Sequence, residues 1–226
     1  KGTFTGGIAN VLTKVGSGIL TLGGLGGAGG VTPTTTSAWT GATNVNGGVL
    51  RLGVSNALNA SSAMTIGNAV GVAQFDMATF NQTLASVNFY SGSATAASQA
   101  SLNVGSGTLT LGGTVTYAVS PNVNPQAASI TSGTVSLNGA TKIFAIGDSL
   151  TVPAGQAELT VSSIISDATG GLTKSGLGTL KLTGASTYAG TTTIQGGTLI
   201  LDMAAGSSLS SSSALTLGDR KSTRLN

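Results

Sequence analysis

Six acidic side chains, one serine motif and one glycine cluster are the places where this sequence could carry chemistry. Gly147-Asp148-Ser149-Leu150 has the form of a serine nucleophile poised for ester attack. Such a serine needs a base to take its proton, and the chain has no histidine. The motif therefore reads as a turn between two strands. Gly24-Leu25-Gly26-Gly27-Ala28-Gly29 matches a dinucleotide fingerprint in letters, but Val31-Thr32-Pro33 follows it where a helix would have to begin. It reads as a loop. Cysteine is absent as well as histidine, so neither a disulfide framework nor a thiolate or imidazole metal site can form. The glycine-rich tracts also lack the regularly spaced aspartates of calcium-binding β-helix repeats.

Carboxylates need a separate test, because parallel β-helices can carry sugar-cleaving sites built from clustered acids. Asp76, Asp148, Glu158, Asp167 and Asp202 are scattered along the chain. Asp148 and Asp167 lie 19 residues apart, a spacing that stacking could bring onto adjacent coils. Two like charges there would repel unless a cation or proton intervened. Turn or solvated-face positions are the expectation for all five, with no catalytic, cofactor-binding or metal-binding residue assigned and no cofactor implied.

Net charge gives no nucleic-acid signal once its source is located. The formal charge is +3, from nine basic and six acidic residues. Residues 219–226 hold three of the basic residues and one of the acidic ones, which leaves +1 without them. That octapeptide breaks the pattern abruptly and resembles the translation of a sequencing-library adapter, so a non-native tail is expected there. Lys1 begins no charged, apolar leader pattern, and no apolar run is long enough for a membrane helix. An internal stretch of a larger polypeptide is expected.

The elements that would position any site come from an internal repeat. Leu12-Thr13-Lys14-Val15-Gly16-Ser17-Gly18-Ile19-Leu20-Thr21-Leu22 matches Leu172-Thr173-Lys174-Ser175-Gly176-Leu177-Gly178-Thr179-Leu180-Lys181-Leu182 at an offset of 160. The block from Trp39 to Leu52 matches that from Tyr188 to Leu201 at an offset of 149, so the first copy carries 11 extra residues. They fall within 23–38, a Gly-Gly-rich stretch read as an extruded loop. Repeat copies span about 10–67 and 170–218, with degenerate coils over 68–169 and one β-helical unit over 1–218. Alternating apolar residues such as Leu180 and Leu182 mark short strands with one inward face. Leu180 and Leu199 are 19 apart, and Leu20 and Leu50 are the same distance apart once the insertion is removed.

A unit that recurs and tolerates insertion predicts stacked coils. The fold class is therefore all-β: a right-handed, single-stranded parallel β-helix without caps, with coils of roughly 20–25 residues in a rod of about 45–50 Å. Trp39 and Tyr188 share a repeat position and predict a coil corner. Lys14 and Lys174 also recur in register, which predicts a solvated or carbonyl-facing position. Gly206 to Ser213 reads as a loop or a glycosylated tract.

The run from Gly170 to Leu199, Gly-Gly-Leu-Thr-Lys-Ser-Gly-Leu-Gly-Thr-Leu-Lys-Leu-Thr-Gly-Ala-Ser-Thr-Tyr-Ala-Gly-Thr-Thr-Thr-Ile-Gln-Gly-Gly-Thr-Leu, resembles the passenger-associated repeat of bacterial autotransporters. Phe75-Asp76-Met77 with Phe80 to Leu84 is similar to the spacer between such copies. The resemblance implies a passenger segment at the bacterial cell surface or outside the cell, exported through an outer-membrane β-barrel of the same polypeptide. It implies a non-enzymatic role as a rigid stalk, with adhesin binding through loop 23–38 and the coil surface as the alternative. A polysaccharide-acting enzyme is the third reading. Expected partners are a host glycan or protein surface, with edge-to-edge self-association and no nucleic acid.

Overall fold

The computed structural model describes residues 11–23, 41–67, 72–91, 99–119, 127–149, 152, 156–202, 209–210 and 212–218. Among them the chain is all-β, with no helix. The first copy forms β1 (Leu12–Lys14), β2 (Ile19–Leu22), β3 (Thr43–Val45), β4 (Gly48–Leu52) and β5 (Ala63–Gly67). The middle forms β6 (Ala73–Asp76), β7 (Gln82–Leu84), β8 (Ser86–Ser91), β9 (Ala100–Leu111) and β10 (Val115–Val119). It continues through β11 (Ala128–Ser136), β12 (Lys142–Ile146), β13 (Leu159–Val161) and β14 (Ile164–Ser166). The second copy forms β15 (Leu172–Ser175), β16 (Thr179–Leu182), β17 (Thr192–Ile194), β18 (Thr198–Leu201) and β19 (Leu215–Leu217).

Strands alternate between two faces, and every pairing between them is parallel. One sheet runs β1-β3-β5-β8-β10-β12-β15-β17-β19 and the other β2-β4-β6-β9-β11-β13-β16-β18. That is a parallel β-solenoid, as the 19-residue spacing predicts. Leu20, Leu50, Phe75, Leu102, Ile130, Val161, Leu182 and Leu201 follow one another in register up the second sheet. From Leu50 to Leu182 they form one buried column, with Leu20 exposed and Leu201 half-buried at its ends, and an aliphatic side chain fully buried in it contributes roughly 1.5–3 kcal/mol.

The middle coils differ in length from the expectation. Val87, Val115, Phe144 and Lys174 are register partners 28, 29 and 30 residues apart. The added residues form a third face, where β7 and the second halves of β9 and β11 stack with β14. Both long strands bend at glycine to reach it: the register slips around Ser132, and Gly105 and Gly133 take positive φ. Among the described residues the first sheet has nine rungs.

Candidate functional site

The two recurring lysines that the sequence singles out lie at corners between the strands of one sheet and those of the other. Strict alternation puts Lys14 on the same face as Leu12, and Lys174 on the same face as Leu172. Both lysines point inward. Lys174 is fully buried and Lys14 nearly so. A buried ammonium is tolerated only with its donors satisfied, and each lysine has three carbonyls around it. Lys14 Nζ donates to the carbonyls of Val15 (2.8 Å), Gly16 (2.8 Å) and, across to the next rung, Gly47 (2.9 Å). Lys174 Nζ repeats the arrangement with Ser175 (2.8 Å), Gly176 (3.0 Å) and Gly196 (3.0 Å). Of the two expected environments, the carbonyl-facing one is realised.

The glycine beside each acceptor completes the corner. Gly48 and Gly197 have φ of 65° and 66°, and a Cβ on either would overlap carbonyl oxygens of the turn beneath. Only glycine fits both the conformation and the space. A third buried lysine follows the same chemistry at another corner: Lys142 Nζ donates to the carbonyl of Gly112, first of the pair Gly112-Gly113, at 3.0 Å.

Around Lys174 the charge is balanced by Glu158, which is also buried. Glu158 accepts from the backbone N–H of Thr179 (2.6 Å) and of Ser149 (3.3 Å), so it clamps the same turn from the other side. Burial draws the Lys174 pKa from 10.5 down to about 8, and the Glu158 charge opposes that shift. All three ammonium protons are donated to backbone carbonyls of the corner. Glu158 and Asp76 are both buried, with their carboxylates bonded to turn N–H groups, the first of the two expected settings.

A second polar cluster also recurs in both copies. Thr43 Oγ1 lies 3.2 Å from Ser62 Oγ, which donates to the Gly41 carbonyl at 2.8 Å. Thr192 Oγ1 lies 3.0 Å from Ser213 Oγ, which donates to the Gly190 carbonyl at 2.7 Å. Tyr188 joins this network, its hydroxyl 2.6 Å from Thr192 Oγ1. Its ring is fully buried, as a corner role predicts, and burial raises the phenol's pKa against the lowering effect of Thr192. Trp39, loop 23–38 beyond Gly23, the cluster 24–29 and residues 219–226 lie outside the described residues.

The carboxylates do not assemble. Asp148 is exposed just after β12, whereas Asp167 lies ahead of β15 and caps the corner before β12. Asp167 accepts from the N–H groups of Gly139 (2.9 Å), Thr169 (3.0 Å) and Gly170 (2.7 Å). Its slight burial works to raise its pKa, but these bonds and Lys142 together hold it below the ordinary 3.8. Asp76 pairs with Arg51 and Asp202 with Lys181, both at 2.8 Å. Among the described residues no three acidic side chains could share a metal ion. Ser149 is buried, and its Oγ accepts from the Val152 N–H at 3.4 Å.

Sequence reasoning missed Lys142, Thr43 and Thr192. For Lys142 a signal was present, since alternation places it on the face of Phe144 and Ile146.

Two segments, residues 12–52 and 172–201, match the family model of the passenger-associated-transport-repeat. No curated protein and no solved structure matches the chain.

Proposed function

Starting from a chain that carries two passenger-associated-transport-repeats on one parallel β-solenoid, we propose that it is a rigid stalk in an autotransporter-type passenger. On this reading the passenger lies at the bacterial surface, exported through an outer-membrane β-barrel of the same polypeptide. The segment holds what lies beyond it away from the membrane and performs no catalysis. One observation carries the reading: both copies keep the same rung-to-rung register and the same buried lysine corner within one continuous sheet. Stacked backbone hydrogen bonds and buried columns resist bending, and a stack transmits position along its axis. Removing whole rungs from the middle of the surface-expressed protein should lower a distal epitope by about 4.8 Å per rung and leave binding intact. Unchanged height would overturn the stalk role.

The adhesin reading has its own support, because the 11 extra residues of the first copy are accommodated without a change in register. Loops on rigid scaffolds often carry binding. Deleting eleven residues within 23–38, which leaves the connection as long as in the second copy, and measuring adhesion to host glycan or matrix protein separates the readings. A stalk is indifferent to the deletion, and an adhesin loses its grip.

A further inference from the structure

Charge is divided unevenly between the two long sheets. In the strands of the first sheet the charged residues are Lys14, Lys142 and Lys174, all inward and buried, so the outward positions of that sheet carry no charge among the described residues. On the second sheet Arg51 and Lys181 stand outward and pair with Asp76 and Asp202. Tyr90 belongs to the neutral face. It is half-buried, whereas Tyr117 and Tyr188 are buried. Val87 and Phe89 take the inward positions of β8, which turns Asn88 and Tyr90 outward. Gly67 is the neighbour of Tyr90 on the preceding rung and Ala118 on the following one, and Thr65 and Thr116 flank Asn88 in the same way. Gly67 is demanded by the backbone: its φ is 113°, and a Cβ there would overlap the Tyr90 carbonyl. The ring therefore has no side chain beside it on one rung, only a methyl group on the other, and a row of hydroxyl, carboxamide and hydroxyl next to it. Among the described residues no other aromatic ring occupies an outward position of either sheet.

We propose that this patch binds a neutral, unbranched glycan, with one pyranose ring stacked on Tyr90 and its hydroxyls bonded to Asn88, Thr65 and Thr116. A pyranose presents a face of C–H groups, which the negative face of an aromatic ring attracts. Its rim of hydroxyls both gives and takes hydrogen bonds, and so do threonine and asparagine side chains. A face without cations has no field to draw a sulfated or carboxylated polymer. A protein partner would need an apolar centre, and the ring is instead surrounded by glycine, alanine and polar residues. The inference deepens the adhesin reading and rests on the coil surface of that reading, not on its loop.

The test titrates the purified full chain with cellohexaose, chitohexaose and maltohexaose, all neutral, and with heparin as a polyanion, following backbone amide shifts. At millimolar sugar at least one neutral hexasaccharide should bind, with shifts centred on Thr65, Asn88, Tyr90 and Thr116, and heparin should not. Tyr90→Ala should weaken that binding about tenfold or more, and Tyr90→Phe, which keeps the ring, should stay within about threefold of the parent. Ser129→Ala, on the outward side of the second sheet, should leave it unchanged. The shift map comes from the unaltered chain, so it decides the matter even if Tyr90→Ala does not fold. The proposal is overturned if none of the neutral sugars binds, if heparin binds in their place, if the shifts centre on another face, or if folded Tyr90→Ala binds as the parent does. A chain that binds no sugar here but loses cell adhesion when the deletion within 23–38 is made would sink this proposal and leave the adhesin reading standing.

Discussion

At the scale of single residues, five of the ten charged side chains among the described residues lie inside. Lys14, Lys142 and Lys174 are buried, three of the four lysines among the described residues. For Lys174 the pH dependence follows from its lowered pKa. Below about pH 8 the ammonium is present in folded and unfolded chains alike, and the fold bears the cost of burying it. Between about 8 and 10.5 the unfolded chain holds the extra proton, so stability rises with pH across that window by on the order of 3 kcal/mol. Thermal melts of the parent and of Lys174→Met over pH 7–11 check this. The parent should gain stability relative to the variant, and parallel curves would refute the buried charge. Tyr188→Phe removes the hydroxyl bonded to Thr192 while keeping the ring, so a loss of about 1 kcal/mol is expected in denaturant melts.

Legibility in the sequence divides along the same line. Alternation by itself points all three lysines inward, but the general rule that lysine seeks water competes with it, so Lys142 was passed over and the matter stayed open for Lys14 and Lys174. The acceptors could not be read at all. Gly196 is 22 residues from Lys174, and only the stacking of rungs makes its carbonyl a neighbour. The partner of Glu158 was hidden for the same reason, since Thr179 belongs to the following coil.

At the scale of elements, glycine and coil length shape the structure. Gly197 is the sharpest case: it has φ of 66°, and a Cβ would run into the carbonyls of Gly176 and Gly178. Gly197→Ala should cost about 3 kcal/mol or more, from left-handed strain and overlap together. Gly139→Ala has φ of 68° but open space, with a nearest contact of 3.7 Å. Its loss should be limited to the strain, about 1 kcal/mol. Comparing the two by urea denaturation separates conformation from packing, and equal losses would show that space at the corner is not limiting. The 19-residue period made the two-sheet coils legible because their inward pairs recur without interruption. The third face was not legible. Its strands β7 and β14 are three residues each, too short to show a period, and β9 and β11 read as single runs until a glycine bends them.

At the scale of the whole molecule, a stack converts rung number into axial distance at a fixed rate, whatever the length of each coil. Thr13, Asn44, Thr65, Asn88, Thr116, Ala145 and Ser175 form an outward ladder, each a register partner of the next. The chain has no native cysteine, so spin labels can be placed on this ladder in pairs. Pulsed electron paramagnetic resonance between Ser175 and Thr65, Asn44 or Thr13 should give backbone-corrected separations of about 19, 24 and 29 Å, for four, five and six rungs at ~4.8 Å each. Separations that fail to rise by one rung spacing per pair, or that fall together below about 20 Å as in a two-sheet sandwich, would contradict the stacked rod.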